Sequence, residues 1–148
     1  GECAMYATCR AQEILSTMGV NKSFTTNVNG GKFCSSVSGY QTGMTPRQGS
    51  LVSWSGGVGG YGHVAVVEKV NSDGSILVSE MYVKLGFYGG SAWDIIKVSP
   101  NPKETRKYNC MANGSGCWQM RTIPANRIND AGWGSNYRLN CFIYLLGD

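Results

Sequence analysis

Hydrophobic residues near the start of the chain recur at steps of three and four positions. Between residues 3 and 18 they form one stripe of a helix: Ala4, Ala7, Ala11, Ile14, Leu15 and Met18. Gly19 follows, and glycine often ends a helix because it readily adopts left-handed backbone angles. The pattern predicts an amphipathic helix over residues 3–18, and a short helix over residues 32–37 is compatible with the glycine-rich stretch that follows.

After Pro46 the hydrophobic pattern changes to that of β-strands. A short apolar run covers residues 51–54. Two longer runs follow, HVAVVEKV over residues 63–70 and SILVSEM over residues 75–81, and the four residues between them contain Asp-Gly. Two β-rich runs joined by such a segment predict a β-hairpin.

Later β-branched and aromatic stretches predict strands over residues 93–98, 118–123 and 139–146. One helix followed by an antiparallel sheet is an α+β arrangement. The chain has 148 residues and 42% hydrophobic content, which suits one domain over residues 1–148 with its own core. No apolar run approaches the roughly 20 residues that a membrane-spanning helix needs.

Charge and termini add little to this picture. The formal net charge is +4 and the basic residues are scattered, whereas nucleic-acid-binding surfaces carry a denser basic stripe with aromatic residues. We therefore expect no nucleic-acid partner. The chain opens at Gly1 without a methionine or a signal peptide, which fits a domain excised from a larger protein or a mature product.

Cysteine is frequent for a chain of this length, at positions Cys3, Cys9, Cys34, Cys110, Cys117 and Cys141. There is no CxxC pair and only one histidine, so a zinc site has little support, and we expect neither a metal nor a cofactor. The cysteines either form disulfides in an oxidising compartment or pack as buried thiols.

Cys3 is the cysteine best placed to act as a nucleophile. It stands at the predicted start of the first helix, where unpaired N–H groups and the helix dipole favour a thiolate. His63 is the only histidine, and it opens a strand after a glycine-rich turn. The hairpin places Glu80 close to His63 across the strand pair, where a carboxylate orients an imidazole. A structural histidine at the sheet edge and an exposed strand glutamate are the alternatives.

Several motifs resemble the CHAP family, the cysteine, histidine-dependent amidohydrolases/peptidases. The opening GECAMYA with Arg10 resembles the start of these domains, and the segment over residues 62–81 resembles their core hairpin. The stretches RTIP over residues 121–124 and FIY over residues 142–144 are similar to their closing strands.

The resemblance implies a papain-like α+β fold, in which the N-terminal helix carries the nucleophile and packs on an antiparallel sheet. It implies hydrolysis of an amide bond in bacterial peptidoglycan, with Cys3 as nucleophile, His63 as base and Glu80 as the orienting acid. Tyr82 stands where many members have asparagine, so it is a candidate fourth polar residue or a groove residue. The acidic residues with which some members bind calcium are missing, so no metal site is predicted.

Residues 83–117 are extra material relative to the family pattern. Cys110 and Cys117 are spaced well for a local disulfide. Aromatic side chains either pack in the core and loops or line a substrate groove, and the groove candidates are Trp54, Tyr61 and Trp93. We expect a monomeric domain attached to other domains of a parent chain, located outside the cell or in the cell wall.

Three other functions remain compatible with the sequence. The fold could be a cell-wall-binding module with weak catalysis, because Glu2 and Tyr82 depart from the family pattern. The same chemistry could serve an amidase acting on a small glutathione-type conjugate. A secreted structural domain in which Cys3 is paired in a disulfide is the third.

Overall fold

The computed structural model describes the backbone of residues 2–82 and 117–147, and the side chains of residues 3–81 and 120–147. The first helix, α1, spans Glu2–Thr17, within one residue of the prediction at either end. A 3-10 helix over Gly30–Lys32 leads into the short helix α2, Phe33–Ser36. No helix in these ranges is long and apolar enough to cross a membrane.

Six strands form one antiparallel sheet in the order β1-β6-β2-β3-β4-β5. Their bounds are β1 Gln41–Gly43, β2 Ser50–Gly56, β3 His63–Val70, β4 Ile76–Tyr82, β5 Cys117–Ile123 and β6 Tyr137–Tyr144. The predicted α+β class is confirmed. The sequence did not predict β1 or the 3-10 helices over Val58–Gly60 and Ala125–Asp130. The strand predicted over residues 93–98 and nearly all of the predicted insertion lie outside the described residues.

The sheet is covered on both faces. One face packs against α1, where Ala7, Ala11 and Leu15 belong to the same buried cluster as Val64 and Val66. The other face carries a second buried cluster that includes Ala65, Val67, Val78, Ile123 and Phe142. Because β3 is buried on both sides over its first six residues, its sequence is a nearly continuous apolar run.

A buried ion pair joins α1 to the sheet. Arg10 donates from Nε to Glu68 Oε2 at 3.0 Å and from Nη2 to Glu68 Oε1 at 2.9 Å, and Ser79 Oγ donates to the same carboxylate at 2.6 Å. Arg10 and Glu68 are both buried. A two-point contact of this kind fixes direction as well as distance, so it sets the rotation of α1 on the sheet.

The hairpin of β3 and β4 contains a β-bulge that the sequence did not predict. Val66 pairs with Ser79 and Val67 with Val78, but the next pair is Lys69 with Leu77, so Glu68 is the extra residue. Continued in the other direction, this register puts Glu80 opposite Ala65. His63 is then the diagonal neighbour of Glu80 on the same sheet face.

A disulfide joins Cys34 of α2 to Cys141 of β6, across 107 positions of the chain. Of the two alternatives left open by the sequence, disulfides and buried thiols, these two cysteines adopt the first, although the sequence analysis did not identify this pair. Cys9 is also disulfide-bonded. The predicted Cys110–Cys117 bond lies outside the described side chains, so it stays a prediction.

Replacing Cys34 and Cys141 together by alanine should destabilise the protein by roughly 2–5 kcal/mol, because the bond closes a long loop and restricts the unfolded chain. Urea unfolding under non-reducing conditions measures the change. The matched control is Cys3→Ala, which removes a free thiol and should leave the unfolding midpoint nearly unchanged. Equal midpoints for the double variant and the wild type would contradict the expectation.

Candidate active site

The Cys3 thiol lies in the first turn of α1 and is partly buried. It is a free cysteine, and its thiol interacts with the His63 side chain and with the backbone N–H of Val64. Helix α1 therefore brings the sulfur to the start of β3. The sequence also predicted Cys3 at this N-terminal end of the helix.

His63 is the first residue of β3 and pairs with Trp54 of β2. Its side chain has no solvent exposure, and its ring lies between two indoles. The centroid distances are 5.8 Å to Trp54, which is stacked, and 4.8 Å to Trp133, which is tilted. These rings pack against the imidazole and so restrict its rotation.

Glu80 of β4 completes a chain of three groups. Its Oε1 lies 2.9 Å from His63 Nε2, and both side chains are buried. Since Glu80 occupies Nε2, Nδ1 is the ring nitrogen that remains for the Cys3 thiol. The structure thus brings together Cys3, His63 and Glu80. The hairpin pattern predicted that His63 and Glu80 lie close together, and the family resemblance implied that Cys3 joins them.

The environment of these groups favours their charged forms. Burial raises the pKa of the Cys3 thiol, but the hydrogen bond and charge of His63 outweigh it, so the pKa is lowered overall. Burial lowers the pKa of His63, whereas the hydrogen bonds of Cys3 and Glu80 raise it to about 9. The arrangement therefore stabilises a thiolate beside an imidazolium at neutral pH, the form in which cysteine is nucleophilic.

Glu80 keeps its charge although water does not reach it. Burial raises the pKa of this carboxyl group, but His63 and Arg121 lower it to about 2. Arg121 of β5 donates from Nε to Glu80 Oε2 at 2.5 Å and from Nη2 to Oε1 at 3.3 Å. A carboxylate that stays ionised can stabilise the imidazolium throughout the neutral range.

The sequence analysis missed Arg121 and Trp133 as residues of this site. Arg121 pairs with Val78, and Ile123, two positions later, is fully buried on the same face. A cation on a buried strand face needs an anion nearby, so this alternation was the signal that could have found it. Trp133 follows a 3-10 helix that no local pattern predicted.

The predicted groove residues have different outcomes. Trp54 does not line a groove, because its side chain is fully buried and its Nε1 donates to the carbonyl of Ile128 at 2.7 Å. This prediction was wrong. Tyr61 is 62% exposed, so its groove role stays a prediction. The side chain of Tyr82, at the end of β4, and the whole of Trp93 lie outside the described part of the chain.

A cavity of about 540 Å³ lies beside the first turns of α1. Ala4, Met5 and Thr8 of the helix line one side, and residues 24–28 line the other. The cavity begins next to Cys3 in sequence. Within residues 2–82 and 117–147, no three histidine, cysteine or acidic side chains form a group that could hold a metal ion.

Comparison with known proteins identifies one family for this chain. The sequence model of the CHAP domain matches residues 1–82. The staphylococcal secretory antigen SsaA of Staphylococcus epidermidis is 36% identical over 110 residues, which is 74% of this chain and 37% of the relative. An N-acetylmuramoyl-L-alanine amidase of the same species is 42% identical over 81 residues, which is 55% of this chain and 24% of the relative.

The fold has a counterpart among solved structures. The crystal structure of an N-acetylmuramoyl-L-alanine amidase from Staphylococcus aureus superposes with a TM-score of 0.54 and 25% identity. The superposition covers 97% of this chain and 30% of the amidase. The chain thus spans about a quarter to a third of the length of the amidases that it resembles.

The glycine before His63 provides a test of how the backbone positions the imidazole. Gly62 has φ +71°, and a Cβ there would lie 2.3 Å from the carbonyl oxygen of Trp54 and 2.4 Å from Cα of Gly31. Gly60 has φ +72° with no atom within 4 Å of such a Cβ. Both Gly→Ala changes carry left-handed strain of about 1–2 kcal/mol, and Gly62→Ala adds a backbone clash worth roughly 1–3 kcal/mol more.

Gly62→Ala should therefore lower the free energy of unfolding more than Gly60→Ala and should slow iodoacetamide alkylation of Cys3 at neutral pH. Urea unfolding and mass spectrometry of the Cys3 peptide measure the two effects. If both variants behave alike in both measurements, Gly62 does not position His63.

Proposed function

The chain belongs to the CHAP domain family, and from that premise we propose that it is a cysteine-dependent hydrolase that cleaves an amide bond of bacterial peptidoglycan. Cys3 would be the nucleophile, His63 the base and acid, and Glu80 the group that orients and stabilises the imidazolium. The bond is either the link between N-acetylmuramic acid and L-alanine or a bond within the stem or cross-bridge peptide.

One observation carries the chemical part of the proposal, namely the continuous chain from the Cys3 thiol through the His63 imidazole to the Glu80 carboxylate. His63 Nε2 is 2.9 Å from Glu80, and the thiol is hydrogen bonded to the same ring. A nucleophile, a base within reach and a third group that orients the base are the parts that acyl transfer requires. A histidine with a purely structural role would not need a free cysteine at a helix start as a second partner beside the carboxylate.

In the proposed reaction, the Cys3 thiolate attacks the carbonyl carbon of the amide and forms a tetrahedral intermediate. The His63 imidazolium then gives its proton to the amide nitrogen, the C–N bond breaks, and the amine leaves. The resulting thioester is attacked by a water molecule whose proton passes to His63. Release of the carboxylic acid restores the thiolate and the imidazolium, so the cycle consumes one water molecule for each amide bond and needs no oxidant or reductant.

The substrate part of the proposal comes from the relatives and from the surroundings of Cys3. Two relatives are named for hydrolysis of the muramoyl–alanine amide, and another is a probable autolysin of Staphylococcus aureus. The cavity beside α1, which is lined in part by Ala4, the residue that follows Cys3, offers space for a peptide stem. We further propose a domain that acts in the cell wall or outside the cell as part of a longer protein.

The alternatives fare differently. The reading in which Cys3 is paired in a disulfide is wrong, because Cys3 is a free cysteine. A binding module with weak catalysis would have no need for a buried, ion-paired Glu80 behind the imidazole. An amidase on a glutathione-type conjugate uses the same three groups, so substrate tests have to separate it.

Replacing Cys3 by alanine or serine should lower the rate of hydrolysis of purified cell walls by several orders of magnitude while leaving the fold intact. His63→Ala should be equally damaging, and Glu80→Ala less so, because removing an orienting group usually costs less than removing the base. Turbidity loss of a wall suspension measures all of them. Met18→Ala, an exposed side chain 53% accessible to solvent, is the control and should behave as wild type.

Circular dichroism and urea unfolding should show that each inactive variant is folded. Near wild-type clearing by Cys3→Ala would contradict the mechanism. Equal activity of Glu80→Ala and wild type would remove Glu80 from the proposed site.

Analysis of the products identifies the bond. Cleavage of the muramoyl–alanine amide should release a new amino terminus on L-alanine and no new reducing sugar end, while cleavage in the peptide should release other new amino termini. Glutathionylspermidine and similar small conjugates are the competing substrates to include. Turnover of such conjugates with no change in the walls would overturn the peptidoglycan proposal while leaving the cysteine mechanism in place.

A further inference from the structure

Arg121 and Trp133 form a clamp behind the Glu80 carboxylate. Glu80 has no solvent exposure, and both of its oxygens have partners: His63 Nε2 at 2.9 Å and Arg121 Nη2 at 3.3 Å on Oε1, and Arg121 Nε at 2.5 Å on Oε2. The guanidinium therefore contacts both oxygens of the carboxylate. The oxygen that faces the imidazole has little freedom to rotate away.

Arg121 is itself held in place from the opposite side. Its Nη1 donates to the carbonyl of Ala131 at 2.5 Å, and its Cζ lies 4.1 Å from the centre of the Trp133 ring. Ala131 has φ +61°, and the chain turns there immediately after the Ala125–Asp130 helix. A Cβ on Gly132 would lie 3.1 Å from Arg121 Nη1, so the turn fits closely around the guanidinium.

Trp133 contacts both ends of this arrangement. Its ring lies 4.8 Å from the His63 ring and 4.1 Å from Arg121 Cζ, and Tyr137 packs against it edge-on at 5.1 Å. The indole keeps the imidazole and the guanidinium at a fixed separation, with Glu80 between them. A change in the position of Arg121 is therefore passed to His63 through the carboxylate.

We propose that Arg121 is a positioning residue for the proposed reaction, which together with Trp133 keeps Glu80 ionised and aligned on His63. The inference rests on the proposed function, but it concerns a residue that lies outside the group of Cys3, His63 and Glu80. It assigns Arg121 an effect on the charge state of the imidazole without any contact with substrate.

The charged groups around Glu80 determine which pKa values should change when Arg121 is removed. His63 comes from β3, Arg121 from β5, and the Cys3 thiol from α1 lies on the far side of the imidazole. On the clamp side, Asp130 is paired with Arg127 at 3.0 Å and accepts a hydrogen bond from the N–H of Gly132.

Without Arg121, the buried Glu80 would take up a proton more readily and would align less well. The imidazolium would then lose stabilisation, so the pKa of His63 should fall and the pKa of the Cys3 thiol should rise. The pH range in which thiolate and imidazolium coexist would narrow from both sides.

The experiment measures iodoacetamide alkylation of Cys3 against pH, by mass spectrometry of the Cys3 peptide, in the full chain. Arg121→Met should shift the acid limb of the rate profile, where the Cys3 thiolate forms, up by about one pH unit, and Arg121→Lys should reverse part of this shift. The control is Arg127→Met, which removes a cation paired with Asp130 on the neighbouring helix and should leave the profile unchanged. An acid limb at the wild-type pH in a folded Arg121→Met variant overturns the proposal.

A double-mutant comparison tests whether Arg121 acts through Glu80. In a Glu80→Gln background, Arg121→Met should change the alkylation profile little further, whereas additive effects would overturn the proposal. On cell walls, Arg121→Met should lower kcat roughly tenfold to a hundredfold with little change in KM. Alkylation needs no substrate, so absence of wall hydrolysis by the wild type would refute the proposed function while the profiles still decide the role of Arg121.

Discussion

The Glu80 carboxylate carries a charge where water does not reach it, and its two ion pairs organise the surrounding structure. An unpaired charge in such a place would be neutralised or would destabilise the fold by several kcal/mol. Here His63 and Arg121 share it. The pairs require β3, β4 and β5 to keep one register, and they require the turn at Ala131 to close over Arg121. Sheet geometry and acid–base chemistry are therefore constrained by the same contacts.

A second buried carboxylate has a different task on the opposite face of the same hairpin. Glu68 accepts hydrogen bonds from Arg10 of α1 and Ser79 of β4, and so fixes the helix against the sheet. Glu80 fixes the imidazole from the other face. Since α1 carries the thiol, the sulfur and the ring are both located relative to one pair of strands. A shift of either strand would disturb the positions of the Cys3 thiol and the His63 imidazole together.

The parts of the molecule that were predictable from sequence are those whose signals are local. The apolar stripe of α1 and the Asp-Gly turn between β3 and β4 are contained in short windows. They place Cys3 at a helix start and His63 near Glu80, and the family resemblance implied that the three residues lie together. Arg121 follows Glu80 by 41 positions, so its pairing depends on how β5 docks, which periodicity does not reveal. The burial of Trp54 was missed for a related reason. The sequence pattern around an aromatic residue on a strand is the same whether the residue lines a groove or lies in the core.

The order of the strands determines when the sheet can be completed. Strand β6 is the last of the six in sequence, yet it lies between β1 and β2, and Cys141 within it bonds to α2. Until residues 137–144 are available, one edge of β2 has no neighbour and exposes unpaired backbone groups that attract other chains. During vectorial synthesis or export, the domain would therefore assemble only after its final strand had emerged. Chaperone binding to the incomplete chain would be most useful at that edge.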